Sequence, residues 1–119
     1  MRFDTQIREG VAILRLKGRF CTGADVELAP AKAFLQDNGI RKAVIDMSDV
    51  PYVDSTGLAF VVELHKALDA DGGRLVLAGP NARVREVLAL TRIGEFVPSF
   101  ADRESAEAAL RPEVMCSHS

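Results

Sequence analysis

The chain reads as a small α/β layered domain: a mostly parallel, mixed sheet of about five strands and about four helices, in the order ββαβαβαβα. Three features point there. Short apolar runs without helical period, such as Ala43-Val44-Ile45 and Leu75-Val76-Leu77, have the character of strands buried on both faces. Between them lie stretches of helical length, bounded by capping residues and by glycines. The 119 residues, 48% hydrophobic and 27% charged with a formal net charge of -2, are the composition of one globular domain. A chain of this size buries roughly 65% of the surface its unfolded form exposes, enough for a core without disulfides or metal.

The elements follow in order. Phe3, Thr5 and Ile7 alternate with polar neighbours, Glu9-Gly10 supplies a turn, and Val11 to Leu16 forms a second strand that stops at Lys17-Gly18. A helix is expected from Thr22 to Asn38, with Val26, Ala29, Ala33 and Phe34 near one face and Asn38-Gly39 as its stop. Pro30 leaves two options for it: the regular helix begins near Ala29, or it is kinked there. The Ala43–Ile45 strand ends in Asp46, and a loop from Met47 to Val53 leads to Asp54-Ser55-Thr56-Gly57. The helix that opens there runs to about Ala70 and ends at Gly72-Gly73. After the Leu75–Leu77 strand, Pro80-Asn81 opens a helix to about Thr91, and Phe96-Val97 is the last strand. A final helix spans Asp102 to Leu110, with Ala106, Ala109 and Leu110 as its apolar side. The expected domain is 1–110, and 111–119, without periodicity, is expected to be a flexible tail.

Composition excludes several functions. Fifteen basic and seventeen acidic side chains are scattered along the chain and form no cationic stripe for a phosphate backbone, so nucleic acid is not an expected partner. The longest apolar run, Gly57 to Val62, falls far short of the roughly 20 residues that span a bilayer. Met1-Arg2-Phe3-Asp4 has no apolar leader segment, and a cytoplasmic location without membrane association is expected. Cys21 and Cys116 read as thiols, and with only His65 and His118 to add, no metal-ligating spacing exists; no metal or cofactor is expected.

The segment Asp46 to Leu58 holds the candidate chemistry, because it places hydroxyls and a carboxylate at a strand-to-helix junction, where α/β sheets bind their ligands. Asp54, Ser55 and Thr56 are each able to cap the helix, and plain capping is the simplest reading. The helix behind them is apolar nearly all round, with Glu63, His65 and Lys66 as a narrow polar strip. Either it is packed on two sides or part of it is an interaction surface. Enzymatic chemistry is not expected. A hydroxyl nucleophile needs an adjacent base, and His65 stands about 15 Å along the helix from Ser55.

Val53-Asp-Ser-Thr-Gly-Leu58 with Asp46 behind it, together with the element order, resembles the STAS domain of bacterial anti-sigma factor antagonists over residues 3 to 110. The later Gly79-Pro80 turn and the helix from Val84 fit as well. The resemblance implies a phosphorylation site at Ser55, with Thr56 in reserve, lined by Asp54, Thr56, Gly57, Leu58, Cys21 and Thr22. It also implies partner switching. The unphosphorylated antagonist binds an anti-sigma factor serine/threonine kinase, which brings the ATP, and so frees the sigma factor; phosphate on Ser55 ends the complex. A reversible switch requires a phosphatase, of PP2C type in such systems, and the protein is expected to be a monomer or weak dimer. The family's Gly-Glu-Leu-Asp-like segment is replaced by Gly18-Arg19-Phe20-Cys21, without the acidic residue at 21. The alternative is a non-catalytic STAS scaffold or small subunit of a larger assembly, such as a stress-signalling complex or a lipid-transport ATPase.

Overall fold

The computed structural model describes residues 2–20 and 23–110. Cys21 and Thr22 of the expected site and the expected tail, 111–119, lie outside the described residues. Strands β1 (Arg2–Arg8) and β2 (Val11–Lys17) form the expected hairpin, and β3 (Lys42–Asp49), β4 (Arg74–Ala78) and β5 (Ser99–Phe100) complete a five-stranded sheet. Strand order follows chain order; β1 and β2 are antiparallel, the remaining pairs parallel. Helices α1 (Ala24–Glu27), α2 (Ala29–Asp37), α3 (Ser55–Ala70), α4 (Ala82–Leu90) and α5 (Arg103–Leu110) fill the connections and close the chain, with a 3-10 turn at Ile93–Glu95.

The period of two along each strand splits the core. Ala12, Leu14, Leu16, Ala43, Ile45, Met47, Leu75 and Leu77 face one layer, where they meet Leu28, Ala31 and Leu35, then Phe60, Val61, Leu64 and Leu68 of α3, then Val84 and Leu88 of α4. Val11, Ile13, Val44, Val76 and Ala78 face the other side, against Ala106 and Leu110 of α5. All three parallel crossovers thus lie on one face, as a sheet built outward in one direction by right-handed crossovers requires.

Four expectations need correction. The face expected on the helix from Thr22 to Asn38 is the wrong one: Val26 is 74% and Phe34 42% exposed, and Ala29 and Ala33 are exposed, whereas Leu28, Ala31 and Leu35 are buried. The cause is Pro30. It stands in the first turn of α2, and the break at Leu28 resets the helical phase, so the spacing that points inward counts from Leu28. Strand β3 continues four residues past Ile45, because parallel pairing with β2 carries on to Lys17 opposite Asp49 and Met47 is buried. The last strand is Ser99–Phe100, not Phe96-Val97. Val97 is fully buried from an irregular segment, and the sheet resumes where the Pro98 carbonyl accepts from the Leu77 N–H (2.9 Å). On α5, Ala109 is exposed and Glu107 takes the inward place beside Ala106 and Leu110.

Candidate functional site

Asp54 starts α3. Its backbone is extended (φ -116°, ψ -170°), and its Oδ1 accepts from the N–H groups of Thr56 (2.9 Å) and Gly57 (3.2 Å). Two of the helix's free donors are thereby satisfied, the arrangement an N-terminal cap provides. The Asp54 carbonyl accepts from Leu58 N–H (2.9 Å) and closes the first turn. Ser55, the first helical residue, is exposed, while Thr56 and Leu58 are half-buried and Gly57 is buried.

The turn is clamped from behind by the segment that leaves β2. Gly18 N–H donates to the Asp49 carbonyl (3.1 Å), Phe20 N–H to the Tyr52 carbonyl (2.9 Å) and Asp54 N–H to the Phe20 carbonyl (3.1 Å). Phe20 and Val53 form an isolated parallel bridge, in effect an extension of the β2–β3 ladder across the two loops. The Phe20 side chain is fully buried, edge-on to Phe60 with ring centroids 5.9 Å apart. Gly57 is required by this clamp: a Cβ there would overlap the Phe20 carbonyl oxygen and stand 2.8 Å from the Val53 side chain. Sequence reading missed Phe20 as a structural member of the site. The available signal was a large apolar residue in a loop one position before Cys21.

Asp54, Ser55, Thr56, Gly57 and Leu58 thus share the first turn of α3, with Phe20 and Val53 beneath them. Asp46 is not among them. By strand alternation it faces the α5 side with Val44, and its Oδ1 accepts from the Ser48 N–H (3.0 Å) and hydroxyl (2.6 Å). The α3 helix proves packed on two sides, between the sheet and the segments that precede and follow it. The rings of His65 and Phe96 lie with centroids 5.0 Å apart, tilted by 46°, and His65 Nδ1 is buried without a hydrogen-bond partner among the described residues. Only Ala59, Glu63, Lys66, Asp69, Ala70 and Ser55 of this helix are exposed. Among the described residues no group of His, Cys, Asp and Glu is arranged to hold a metal ion, and no helix is long and apolar enough to cross a membrane.

Comparison with known proteins bears on this fold, a mixed sheet with three parallel crossovers on one face. The family model that matches is the STAS domain, over residues 2–106. The chain belongs to the STAS domain family. One relative, BtrV of Bordetella bronchiseptica, named for anti-sigma factor antagonism, is 31% identical over 103 residues, 87% of this chain and 89% of that protein. Among solved structures, the Thermotoga maritima protein TM1081, named in the same way, superimposes with a TM-score of 0.80 at 26% identity, covering 92% of this chain and 95% of that one. A different setting appears in sulfate transporter 2.2 of Arabidopsis thaliana, 38% identical over 61 residues, which are 51% of this chain and 9% of the transporter. In this STAS domain, then, Ser55 follows the Asp54 cap on the first turn of α3, in the central crossover.

Proposed function

We propose that this STAS domain is an anti-sigma factor antagonist that works by partner switching. Its unphosphorylated form binds an anti-sigma factor serine/threonine kinase and frees the sigma factor; phosphate on Ser55 ends the complex, and a phosphatase resets it. The observation that carries this reading is Ser55 itself: an exposed hydroxyl at the first position of a helix whose opening turn is fixed by Asp54 and by the Phe20 clamp. Thr56, half-buried on the same turn, is the reserve acceptor.

The physics of a phosphate there is two-sided. It adds about -1.5 to -2 charges at a helix N-terminus, where the macrodipole and free N–H groups favour an anion, so the fold survives. In a partner interface the same charge beside Asp54 is desolvated without a counter-ion, and a loss of about 2.8 kcal/mol already weakens binding a hundredfold. Binding is switched by charge, with little change in shape. In this reading the chain acts as a binding module, Ser55 being the residue modified and the partner kinase supplying the phosphate from ATP.

The test is capture from native extract on the purified chain, with ATP added to one half, reading the bound proteins and the mass of the bait. A small ATP-binding kinase, released as one phosphate appears on Ser55, is the expected result. Ser55→Ala should then bind that kinase constitutively and Ser55→Asp roughly a hundredfold more weakly, about 2.8 kcal/mol; equal affinities for all three forms would sink the switch. A second reading, a non-catalytic subunit of a larger assembly, is favoured by the transporter match. It predicts a large stable complex and no phosphate.

A further inference from the structure

The two edges of the sheet are unequal. β5 is two residues long, whereas β1 runs for seven and, among the described residues, has β2 as its one neighbour. Arg8 pairs with Val11, and both intervening residues have positive φ, 54° at Glu9 and 80° at Gly10. That is the two-residue turn of type I′, whose flanking residues exchange hydrogen bonds. From there the ladder alternates. Arg2, Asp4, Gln6 and Arg8 turn their N–H and C=O groups to β2, and those of Phe3, Thr5 and Ile7 point outward along the open edge. An edge of this length is a template for another strand unless its side chains forbid it.

Here the side chains select a second copy of the same chain in one register. Exposed Asp4, Gln6 and Arg8 lie on one face of β1, and Ile7, 41% exposed, lies on the other. We propose that β1 is the pairing edge of a weak two-fold symmetric dimer in which Gln6 faces Gln6 of the second copy. Asp4 then faces Arg8 of the second copy, twice, in the closer, non-hydrogen-bonded positions. Thr5 faces Ile7 of the second copy, twice, in the hydrogen-bonded ones, so the outward donors and acceptors are used and both Ile7 side chains are covered beside the dyad. Shifting the dyad to Thr5 opposes Arg2 with Arg8, and shifting it to Asp4 opposes two carboxylates; like charges directly opposite are destabilising. The ten-stranded sheet that results joins two sheets at the edge farthest in strand order from β5, and it does not depend on the function proposed above.

Sedimentation velocity on the purified chain over a wide concentration range tests it. The wild type should dimerise weakly, and Asp4→Arg and Arg8→Asp should each lose at least tenfold in dimer affinity. An equimolar mixture of the two variants should recover it, because that heterodimer contains both ion pairs again. A monomeric wild type, a mixture no better than its components, or an Arg8→Asp variant that dimerises more tightly, as the Thr5-centred register demands, would overturn the proposal. Arg8 also lies 3.9 Å from Glu107, so a readout that leaves it intact is needed. Gln6→Cys, in a chain with Cys21→Ser and Cys116→Ser, should oxidise to a disulfide dimer much faster than Glu9→Cys, since non-hydrogen-bonded partners have Cα atoms about 4.5 Å apart. Equal rates would also sink it.

Discussion

A single methyl group separates a site that closes from one that does not. Gly57 lies where the first turn of α3 is pressed onto the Phe20 carbonyl, and the atom an alanine would add overlaps backbone oxygen, which has no rotamer to escape into. In an open helix Gly→Ala stabilises by about 1 kcal/mol. Here Gly57→Ala should destabilise by about 1–3 kcal/mol, the usual cost of overpacking, as read from urea unfolding midpoints. Its effect should concentrate on the clamp, raising hydrogen exchange at the Phe20 and Asp54 N–H groups before the rest of the sheet. At this scale the cap was legible in the sequence as one of Asp54, Ser55 and Thr56, since capping is a property of residue types in local order; the close approach at Gly57 was not. The Phe20 contribution was not, because it acts through a carbonyl and a bridge to a residue 33 positions away.

Elements differ in how far their own periodicity decides them. Helix α3 begins and ends where its cap and its glycines place it, as the sequence predicts, while the α1–α2 segment has apolar residues on two faces and its phase depends on where the proline breaks it. Pro30 stands in the first turn, where the N–H it lacks has no helical acceptor to lose. Pro30→Ala should therefore shift stability by less than about 1 kcal/mol. A gain of about 3 kcal/mol in the same denaturation experiment would mean an interior kink relieved, and would contradict the broken helix. The β5 error has a similar origin. Phe96-Val97 is the more strand-like pair by composition, but the position beside Leu77 goes to Ser99, and Val97 is used to plug the core.

Among the described residues the two faces of the sheet are covered unequally, by α2, α3 and α4 on one and by α5 alone on the other. That single helix carries a buried carboxylate: Glu107 is 3% exposed, with Arg103 Nε at 3.5 Å and Arg8 Nε at 3.9 Å. Its start is held by Asp102, whose carboxylate accepts from the Ser105 N–H (2.8 Å). Hydrogen bonds from the Ser105 backbone and, second, its hydroxyl keep the Asp102 carboxyl below its ordinary value of 3.8, against a small opposing effect of burial. A folded value below the unfolded one means that the stabilisation is complete above the ordinary value and is lost as pH falls through the folded one. Stability should thus decline on acidification below pH 3.8, and Asp102→Asn, which still caps but does not titrate, should flatten that part of a stability-against-pH curve.

Local order alone determined the number and type of most elements, the capped serine at the mouth of α3 and the parallel character of the sheet, because caps, turns and strand alternation are interactions between neighbours in the chain. Tertiary structure decided the rest. Which face of α2 turns inward, how far β3 runs, where β5 lies, and what Glu107 and Phe20 do are each settled by residues distant in sequence. A helix buries whichever face the sheet leaves room for, and a strand lasts as long as its neighbour offers a partner.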